Sequence, residues 1–435
     1  MIMKKKIAFI SPPLQGHMNP MASIAHGLQD NGLDVMFIGL SEIAGNVKKF
    51  EFCSIGDSAF KNGDIRRITK KMSKLKGMRM GRVWQKNFSN KWSDVVCKEL
   101  PAVLRREGVD FIVCDQLEPA VALVADYLSI PFITICNAMA IVMDLSLPPF
   151  FVSWDYEISE KRLKINNGFY KVADFILKRD TRVLEKWRKK WDMPERIGME
   201  RYFAVSKLAT LSQQTESLEF PLTKINKEWH YCGPFRNDVL LPYIKPEVPE
   251  DGMKNVYISL GSLQGSRFKL LKKCVKACNA LNLRAIVVHA GLLGKDKIKK
   301  LEKYAEVFDY LKQPDIFDDC DILISHCGLN TALDALSYGR PVVAIPIGIE
   351  QGAIATKIKR VGCAIVVKKP RKKKIQNALS EIMNDPSYLN NCEILKDEIH
   401  SSGGVDKAIS IISDNFNNND VSELEIQETL KISSK

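Results

Sequence analysis

The chain has 435 residues, 46% of them hydrophobic and 26% charged, with a formal net charge of +13. This length exceeds what a single compact core supports, so we expect two domains of about 200 residues each, and the composition excludes a disordered or fibrous protein. The excess of positive charge is compatible with anionic substrates, nucleic acid or an anionic membrane surface, and equally with a well-solvated basic surface.

Short apolar runs alternate with helical patterns from the N-terminus onward. The run IAFI precedes the helical pattern MASIAHGLQDNG, which stops at Asn31-Gly32. VMFIGL, a basic helical region, FIVCD, the helical PAVALVADYL and PFITICNA follow. This alternation predicts right-handed βαβ units and a parallel sheet.

A second series of strands predicts a second domain of the same kind. It comprises VYISLGS, RAIVVHA, DILISHCG, PVVAIPI and AIVV. We place the N-terminal domain at residues 1–232, with an amphipathic helical insert at about 155–200. A Pro-rich linker follows at 233–250 and the second domain at 251–400. Residues 401–435 read as a C-terminal helix, whose packing on the first domain stays open, and a polar tail that we expect to fray after about residue 415.

In open α/β sheets ligands bind beyond the carboxyl ends of the strands, so two facing sheets predict one site in the cleft between them. The densest candidate is DILISHCGLNTALDALSYGRPVVAIPIGIEQ, residues 321–351. Gly328 allows close backbone approach, and the helix that begins near Asn330 offers free N–H groups to an anion. The alternative is that Thr331 and Asp334 form a capping-box-like pair that merely closes the helix start.

This stretch resembles the donor-binding signature of the GT-B UDP-sugar glycosyltransferases, the UDP-glucuronosyl/UDP-glucosyl transferase superfamily. The residues in register are His326, Gly328, Asn330, Thr331, Gly339, Pro341 and Pro346. The resemblance implies a fold of two Rossmann-like, doubly wound domains facing across a cleft. It also implies that His326, Asn330 and Thr331 contact the diphosphate of a UDP-sugar.

The same resemblance extends to the ribose and the sugar of the donor. Asp334 stands where the family carries Glu, and the resemblance implies that it holds the ribose hydroxyls. Glu350 and Gln351 stand for the Asp-Gln pair that holds the sugar hydroxyls. Glu350 therefore leaves the identity of the donor sugar open.

Three further segments resemble the superfamily. In YLKQPDIF the resemblance implies that Tyr310 stacks on uracil; Gln313 is retained, and Lys312 replaces a proline. In SLGS, Ser262 matches a serine that reaches phosphate. CGPF (232–235) matches the join between the two domains.

The N-terminal half carries the remaining part of the resemblance. The motif Gly16-His17-x-Asn19-Pro20, with Asp115 at the end of FIVCD, implies that His17 removes the proton of an acceptor hydroxyl and that Asp115 orients His17. The reaction should then invert the anomeric carbon without a metal or cofactor, because the helix start and His326 neutralise the leaving diphosphate. From the residues alone, His17 is a polar turn residue and Asp115 a strand-end cap.

A narrower resemblance concerns NAMAIVMDLSLPPFFVSWDYE, residues 137–157. It is similar to the zeaxanthin glucosyltransferase branch, near the macrolide glycosyltransferases, and implies a large lipophilic acceptor. The acceptor-pocket candidates are Asn137, Met139, Phe150 and Trp154. The alternative is a plain loop that packs its aromatic side chains.

Cysteine usage and the chain start bear on location. The eleven cysteines form no CxxC pair or metal-ligand cluster, which favours a reducing cytoplasm, and no signal-peptide or membrane-spanning pattern is evident. The basic stretches 65–82 and 368–374 match no nucleic-acid module. They fit peripheral attraction to an anionic membrane at its inner face, or a solvated surface.

The sequence thus predicts an inverting transferase that moves a hexose, with glucose favoured, from a UDP-sugar to a hydroxyl of a lipophilic, carotenoid-like molecule. One alternative keeps the chemistry but takes a macrolide, flavonoid or sterol as acceptor. Another is a non-catalytic nucleotide-sugar-binding protein, against which the joint presence of His17 and Asp115 speaks.

Overall fold

The structure is a computed structural model that describes residues 5–433 except 143, 223–226, 237–248 and 250. Most of the predicted linker at 233–250 therefore lies outside the described residues. The remaining chain forms two parallel sheets with helices on both faces, so the predicted fold class is confirmed.

The first sheet has seven strands, all paired in parallel, in the order β3-β2-β1-β4-β5-β6-β7. They are β1 (Lys6–Ile10), β2 (Asp34–Gly39), β3 (Glu51–Ser54), β4 (Val109–Asp115), β5 (Phe132–Cys136), β6 (Thr210–Ser212) and β7 (Trp229–Tyr231). The helices of this half are α1 (Gln15–Asp30), α2 (Asp64–Met72), α3 (Met78–Trp84), α4 (Asn90–Glu107), α5 (Pro119–Leu128), α6 (Glu160–Asp180) and α7 (Arg182–Lys190).

The second sheet has six parallel strands in the order β10-β9-β8-β11-β12-β13. They are β8 (Asn255–Ser259), β9 (Arg284–Val288), β10 (Glu306–Phe308), β11 (Ile322–Ser325), β12 (Val342–Ala344) and β13 (Ala364–Val366). The helices are α8 (Gly261–Gln264), α9 (Phe268–Asn279), α10 (Lys295–Glu302), α11 (Gln313–Phe317), α12 (Leu329–Ser337), α13 (Gln351–Arg360), α14 (Lys372–Asn384), α15 (Ser387–Ser401) and α16 (Gly404–Ser433).

The strands are continuous apolar runs because helices cover both faces of each sheet. In β1, Ile7 and Phe9 belong to one buried cluster and Ala8 and Ile10 to another, on the opposite face. Every strand predicted from an apolar run is present. The unpredicted strands β3, β6, β7 and β10 have only three or four residues each, too few for a clear pattern.

Helix α16 returns from the second domain and packs on the first. Ala408, Ile412 and Phe416 join the cluster around β1, and the rings of Phe111 and Phe416 meet edge to face at 5.7 Å. The helix continues through Ser433, and the expected fraying after about residue 415 stays a prediction. No Gly or Pro follows Gly404 to end the helix.

Candidate active site

The carboxyl ends of the two sheets face each other, and His17 lies on the first of these edges. It occupies the first turn of α1, directly after β1, instead of the turn expected from the residues alone. Asp115 is the last residue of β4, which pairs with β1. Adjacent strands thus bring His17 Nδ1 to 2.7 Å from Asp115 Oδ2, with both side chains buried.

Asp115 is fixed by two further hydrogen bonds. Asn137, just after the neighbouring strand β5, donates from Nδ2 to Asp115 Oδ2 at 2.7 Å, and the backbone N–H of Leu117 donates to Oδ1 at 2.8 Å. Asn137 is 1% exposed and supports Asp115 from behind, and its place in an acceptor pocket stays a prediction. Its Oδ1 is buried without a hydrogen-bond partner among the described residues.

The electrostatics of His17 suit a base. Burial lowers the pKa of its imidazole, but the charge of Asp115, the hydrogen bond to it and the more distant Glu350 outweigh burial and raise the pKa above its ordinary value of 6.5. Because Asp115 accepts from Nδ1–H, the opposite nitrogen, Nε2, carries the free lone pair. A raised pKa strengthens that lone pair as a proton acceptor.

On the facing edge, His326 follows β11 and is held between two glycines. A Cβ atom on Gly261 or Gly328 would lie 2.5 or 2.6 Å from the His326 ring, so a side chain at either position would force the ring to shift. Burial lowers the pKa of His326 to about 4, against a hydrogen bond to the Ser259 backbone. With this pKa His326 is neutral at pH 7 and would act on a leaving diphosphate through a hydrogen bond, and its part in neutralising that charge stays a prediction.

The positive potential at this edge comes from the start of α12. Gly328 is the residue before the helix, and no side chain caps its N-terminus, so the alternative of a Thr331–Asp334 capping pair is not formed. Thr331 Oγ1 instead accepts from Gln313 Nε2 at 3.3 Å. The N–H groups of the first turn thus remain free of side-chain caps, as an anion site requires.

The other donor-site candidates surround this helix start. Tyr310 is 48% exposed, with its ring beside Gly291 and its hydroxyl donating to the Ala290 carbonyl at 3.0 Å. Ser262 is exposed on α8, next to the glycine that contacts His326. These positions leave the ring of Tyr310 and the hydroxyl of Ser262 accessible to a ligand.

Glu350 and Gln351 lie at the start of α13. Gln351 Oε1 accepts the backbone N–H groups of Ile347 and Gly348 at 2.9 and 2.5 Å. Its side-chain oxygen is thus committed to the preceding loop. Glu350 is half-buried, and its charge reaches His17 across the cleft.

A hydrogen bond to the Gly16 carbonyl connects the two edges, and Pro20 leaves that carbonyl available for it. Proline has no N–H, so Pro20 cannot make the helical hydrogen bond to the carbonyl of Gly16 four residues earlier. That carbonyl accepts instead from Asn330 Nδ2 of the second domain, at 2.7 Å. The starts of α1 and α12 are joined through the residue that precedes His17.

Two polar residues at this junction were missed by the sequence reasoning. Arg236, directly after CGPF, donates from Nε to Asp334 Oδ1 at 2.5 Å. Gln213, just beyond β6, is fully buried and donates to Asn330 Oδ1 at 3.1 Å. No local sequence pattern predicts the role of either residue, because their hydrogen-bond partners lie about a hundred residues away in the chain.

The three remaining acceptor-pocket candidates do not share one environment. Met139 is buried in the core cluster of the second domain, against which Phe150 also packs. Trp154 meets the ring of Phe169 on α6 edge to face at 4.7 Å. An aromatic series formed by Phe203, Phe150, Phe151, Phe169 and Trp154 connects this core to α6.

The described part of the chain also lacks two kinds of feature. There, no group of three or more His, Cys, Asp or Glu side chains is placed to hold a metal ion. Among the helices of that part, none is long and apolar enough to cross a membrane.

The sequence is similar to characterised glycosyltransferases. A family model described as "Erythromycin biosynthesis protein CIII-like, C-terminal domain" matches residues 279–409. The chain is 26% identical over 427 residues to a zeaxanthin glucosyltransferase of Pseudescherichia vulneris. The alignment covers 93% of this chain and 96% of that protein. A zeaxanthin glucosyltransferase of Pantoea ananas is 28% identical over 356 residues, 81% of this chain and 82% of that protein.

Solved structures show the same fold. The glycotransferase of kitacinnamycin superposes with a TM-score of 0.73 at 17% identity, covering 95% of this chain and 99% of that one. The calicheamicin glycosyltransferase CalG4 superposes with a TM-score of 0.70 at 15% identity, and the match covers 96% of this chain and 99% of that one. The spinosyn rhamnosyltransferase SpnG, complexed with thymidine diphosphate, superposes with a TM-score of 0.64 at 14% identity. The match covers 94% of this chain and 100% of that one.

Proposed function

We propose that this chain, a GT-B glycosyltransferase of the UDP-glycosyltransferase superfamily, transfers a hexose from a UDP-sugar to a hydroxyl of a lipophilic small molecule. The observation that carries the proposal is the buried His17–Asp115 pair, at 2.7 Å, opposite the uncapped start of α12. One edge of the cleft holds a base, and the other holds an anion site.

The reaction follows from this opposition. Nε2 of His17 takes the proton of the acceptor hydroxyl, and Asp115 stabilises the imidazolium that forms. The acceptor oxygen attacks the anomeric carbon as the bond to the diphosphate breaks on the opposite side, so the configuration inverts. The N–H groups at the start of α12 stabilise the departing diphosphate, while neutral His326 offers it a hydrogen bond.

Glucose is the favoured sugar and UDP the favoured carrier. Tyr310 offers a ring face to uracil, and Asp334 offers a carboxylate to ribose. The two similar zeaxanthin glucosyltransferases are named for the transfer of glucose. We assign no metal or cofactor, and the UDP-sugar is a co-substrate.

The aromatic series between Phe203 and Trp154 supports a lipophilic acceptor. We infer that an elongated apolar acceptor, a carotenoid such as zeaxanthin, would lie along these rings. A macrolide, flavonoid or sterol would use the same lining, and the chemistry at His17 would be unchanged.

A lipophilic acceptor is reached most directly from a membrane, and α6 has a surface suited to one. Lys164, Lys171, Phe175 and Lys178 recur at helical spacing on its exposed face. Phe175 is 79% exposed and the adjoining Val172 is 56% exposed. Apolar side chains among lysines favour an anionic lipid surface. We therefore propose peripheral contact with the inner, anionic face of a membrane.

Vesicle flotation tests the membrane contact. The double variant Val172→Asp and Phe175→Asp should lose binding to phosphatidylglycerol-containing vesicles, while neither protein binds pure phosphatidylcholine strongly. Ile394→Asp, which replaces another apolar side chain that is 69% exposed, is the control and should bind normally. Equal flotation of all three proteins would contradict the contact.

Mass spectrometry of reaction products tests the proposed activity. The purified protein is incubated with UDP-glucose and a panel of hydroxylated carotenoids, macrolides, flavonoids and sterols, and we expect a hexose added to at least one lipophilic acceptor. Binding of UDP without turnover on any acceptor would instead support the non-catalytic nucleotide-sugar-binding protein.

A further inference from the structure

We propose that Arg236 is a positioning residue that holds Asp334 and Asn330 so that the donor site selects a nucleoside diphosphate with a hydroxylated ribose. The inference rests on the proposed function, because it takes the ribose to bind at Asp334. Arg236 would then contribute to the choice between donors built on ribose and donors built on deoxyribose.

Arg236 acts through other residues because its own hydrogen-bonding capacity is used up. Nε donates to Asp334 Oδ1 at 2.5 Å. Nη1 donates to Gln213 Oε1 at 2.8 Å and to the Phe235 carbonyl at 3.0 Å. Nη2 donates to the carbonyl and the Oδ1 of Asn330, both at 3.2 Å. A guanidinium has five N–H groups, and each has a protein acceptor here, so none is left over for the donor.

The ion pair orients Asp334 and favours its charged form. With Oδ1 held by Arg236, Oδ2 is the oxygen that we assign to a ribose hydroxyl. Burial raises the pKa of Asp334, and the charge and hydrogen bond of Arg236 act against that rise. Without Arg236 the half-buried carboxyl would be protonated more readily and free to rotate, and it would accept a ribose hydrogen bond less well.

The same guanidinium fixes the amide of Asn330. Asn330 Oδ1 accepts from Arg236 and, at 3.1 Å, from Gln213 Nε2, which sets Nδ2 toward the Gly16 carbonyl. Gln213 Nε2 also donates to the Asn137 carbonyl at 2.8 Å. Hydrogen bonds therefore connect Arg236 through Gln213 to Asn137, the residue that donates to Asp115.

The backbone before Arg236 is rigidly placed. Gly233 has a φ of +80°, which favours glycine, and Phe235 is fully buried. The N–H of Gly404 donates to the Cys232 carbonyl at 2.6 Å. The backbone that carries Arg236 is thus held in place, as a positioning role requires.

The test compares the affinities of UDP, 2′-deoxy-UDP and 3′-deoxy-UDP by calorimetry. We expect wild type to bind UDP about tenfold or more tightly than at least one deoxy analogue, which is the loss of one hydrogen bond to a charged group. In Arg236→Met this ratio should fall toward one. Arg236→Lys should not restore it, because an ammonium cannot hold Asp334 and Asn330 together.

Two controls separate positioning from loosening of the domain interface. Arg360→Met removes another arginine of this interface, which donates to the Ser217 and Glu219 carbonyls, and should leave the ratio unchanged. In an Asp334→Asn background, Arg236→Met should cause no further fall in the ratio, because both changes remove the same interaction.

The outcomes distinguish the inference from the proposed function. Wild type that fails to bind UDP overturns the proposed function and the inference with it. Wild type that binds UDP and both deoxy analogues equally, or an undiminished ratio in Arg236→Met and Arg236→Lys, overturns the inference alone. Thermal melting of each variant identifies any that fails to fold, and Arg236→Lys then decides.

Discussion

The two histidines of the cleft both lie at the carboxyl edge of a parallel sheet, yet their pKa values are shifted in opposite directions. His17 and His326 both follow the carboxyl end of a central strand, and both are buried near a helix start. The pKa of His17 is raised by Asp115 in spite of burial, whereas burial lowers the pKa of His326 to about 4. The neighbouring residues, rather than the place in the fold, decide which histidine takes a proton.

The comparison assigns the two edges different tasks. A histidine with a carboxylate partner can receive a proton from a hydroxyl, and a neutral histidine between two glycines can only share a hydrogen bond. Each variant below changes a residue at one of the two edges, and the variants are ordered from the largest expected effect to the smallest.

His17→Ala removes the base and should lower the transfer rate about 10³-fold or more. The affinity for UDP should stay within about twofold of wild type, because the proposed donor contacts lie in the second domain. Steady-state kinetics and calorimetry check both parts. Strongly weakened UDP binding with turnover spared would show that the assigned role of His17 is wrong.

Asp115→Asn keeps the shape of the pair and removes its charge. Burial then dominates and the pKa of His17 falls, so the acid limb of the pH profile of kcat/KM should move to lower pH. The maximal rate should fall about 10²-fold, because the imidazolium loses its stabilising partner. An acid limb that stays in place would indicate that another group is the base.

Asp334→Ala should weaken UDP binding by about 1–3 kcal/mol, the range for a buried hydrogen bond to a charged group. The catalytic pair is untouched, so kcat at saturating donor should change much less than KM. Calorimetry with UDP checks the affinity. Unchanged affinity would exclude Asp334 from the ribose site.

Gly261→Ala acts on the pocket of His326. The new Cβ would lie 2.5 Å from the ring at a φ of +70°, so the ring must shift and donor affinity should fall about threefold to tenfold. Gly252→Ala is the matched control, with a φ of +77° and nothing within 4 Å of its Cβ. Both variants should lose about 1 kcal/mol of stability through backbone strain, and only Gly261→Ala should weaken donor binding.

The fold was predictable from sequence because it follows from local patterns, whereas the roles of His17 and Asp115 were predicted from a family resemblance. Buried parallel strands appear as apolar runs, and a polar residue at the end of a run marks the ligand edge of the sheet. His17 and Asp115 satisfy that rule in the chain itself.

The remaining features depend on contacts between distant segments. The neutrality of His326 follows from its burial beside Gly261, which precedes it by more than sixty residues. Arg236 reaches Asp334, and Gln213 reaches Asn330, across the domain junction. Hydrophobic period and motif spacing carry no information about such contacts, so these residues could be found only from the structure.

The measurement that tests the central contrast most directly is an NMR titration of the imidazole C2 signals of His17 and His326, assigned by the variants His17→Ala and His326→Gln. The account predicts that His17 titrates above its ordinary value of 6.5 and that His326 stays neutral down to about pH 4. Two histidines that titrate together near 6.5, or His326 titrating above His17, would contradict it.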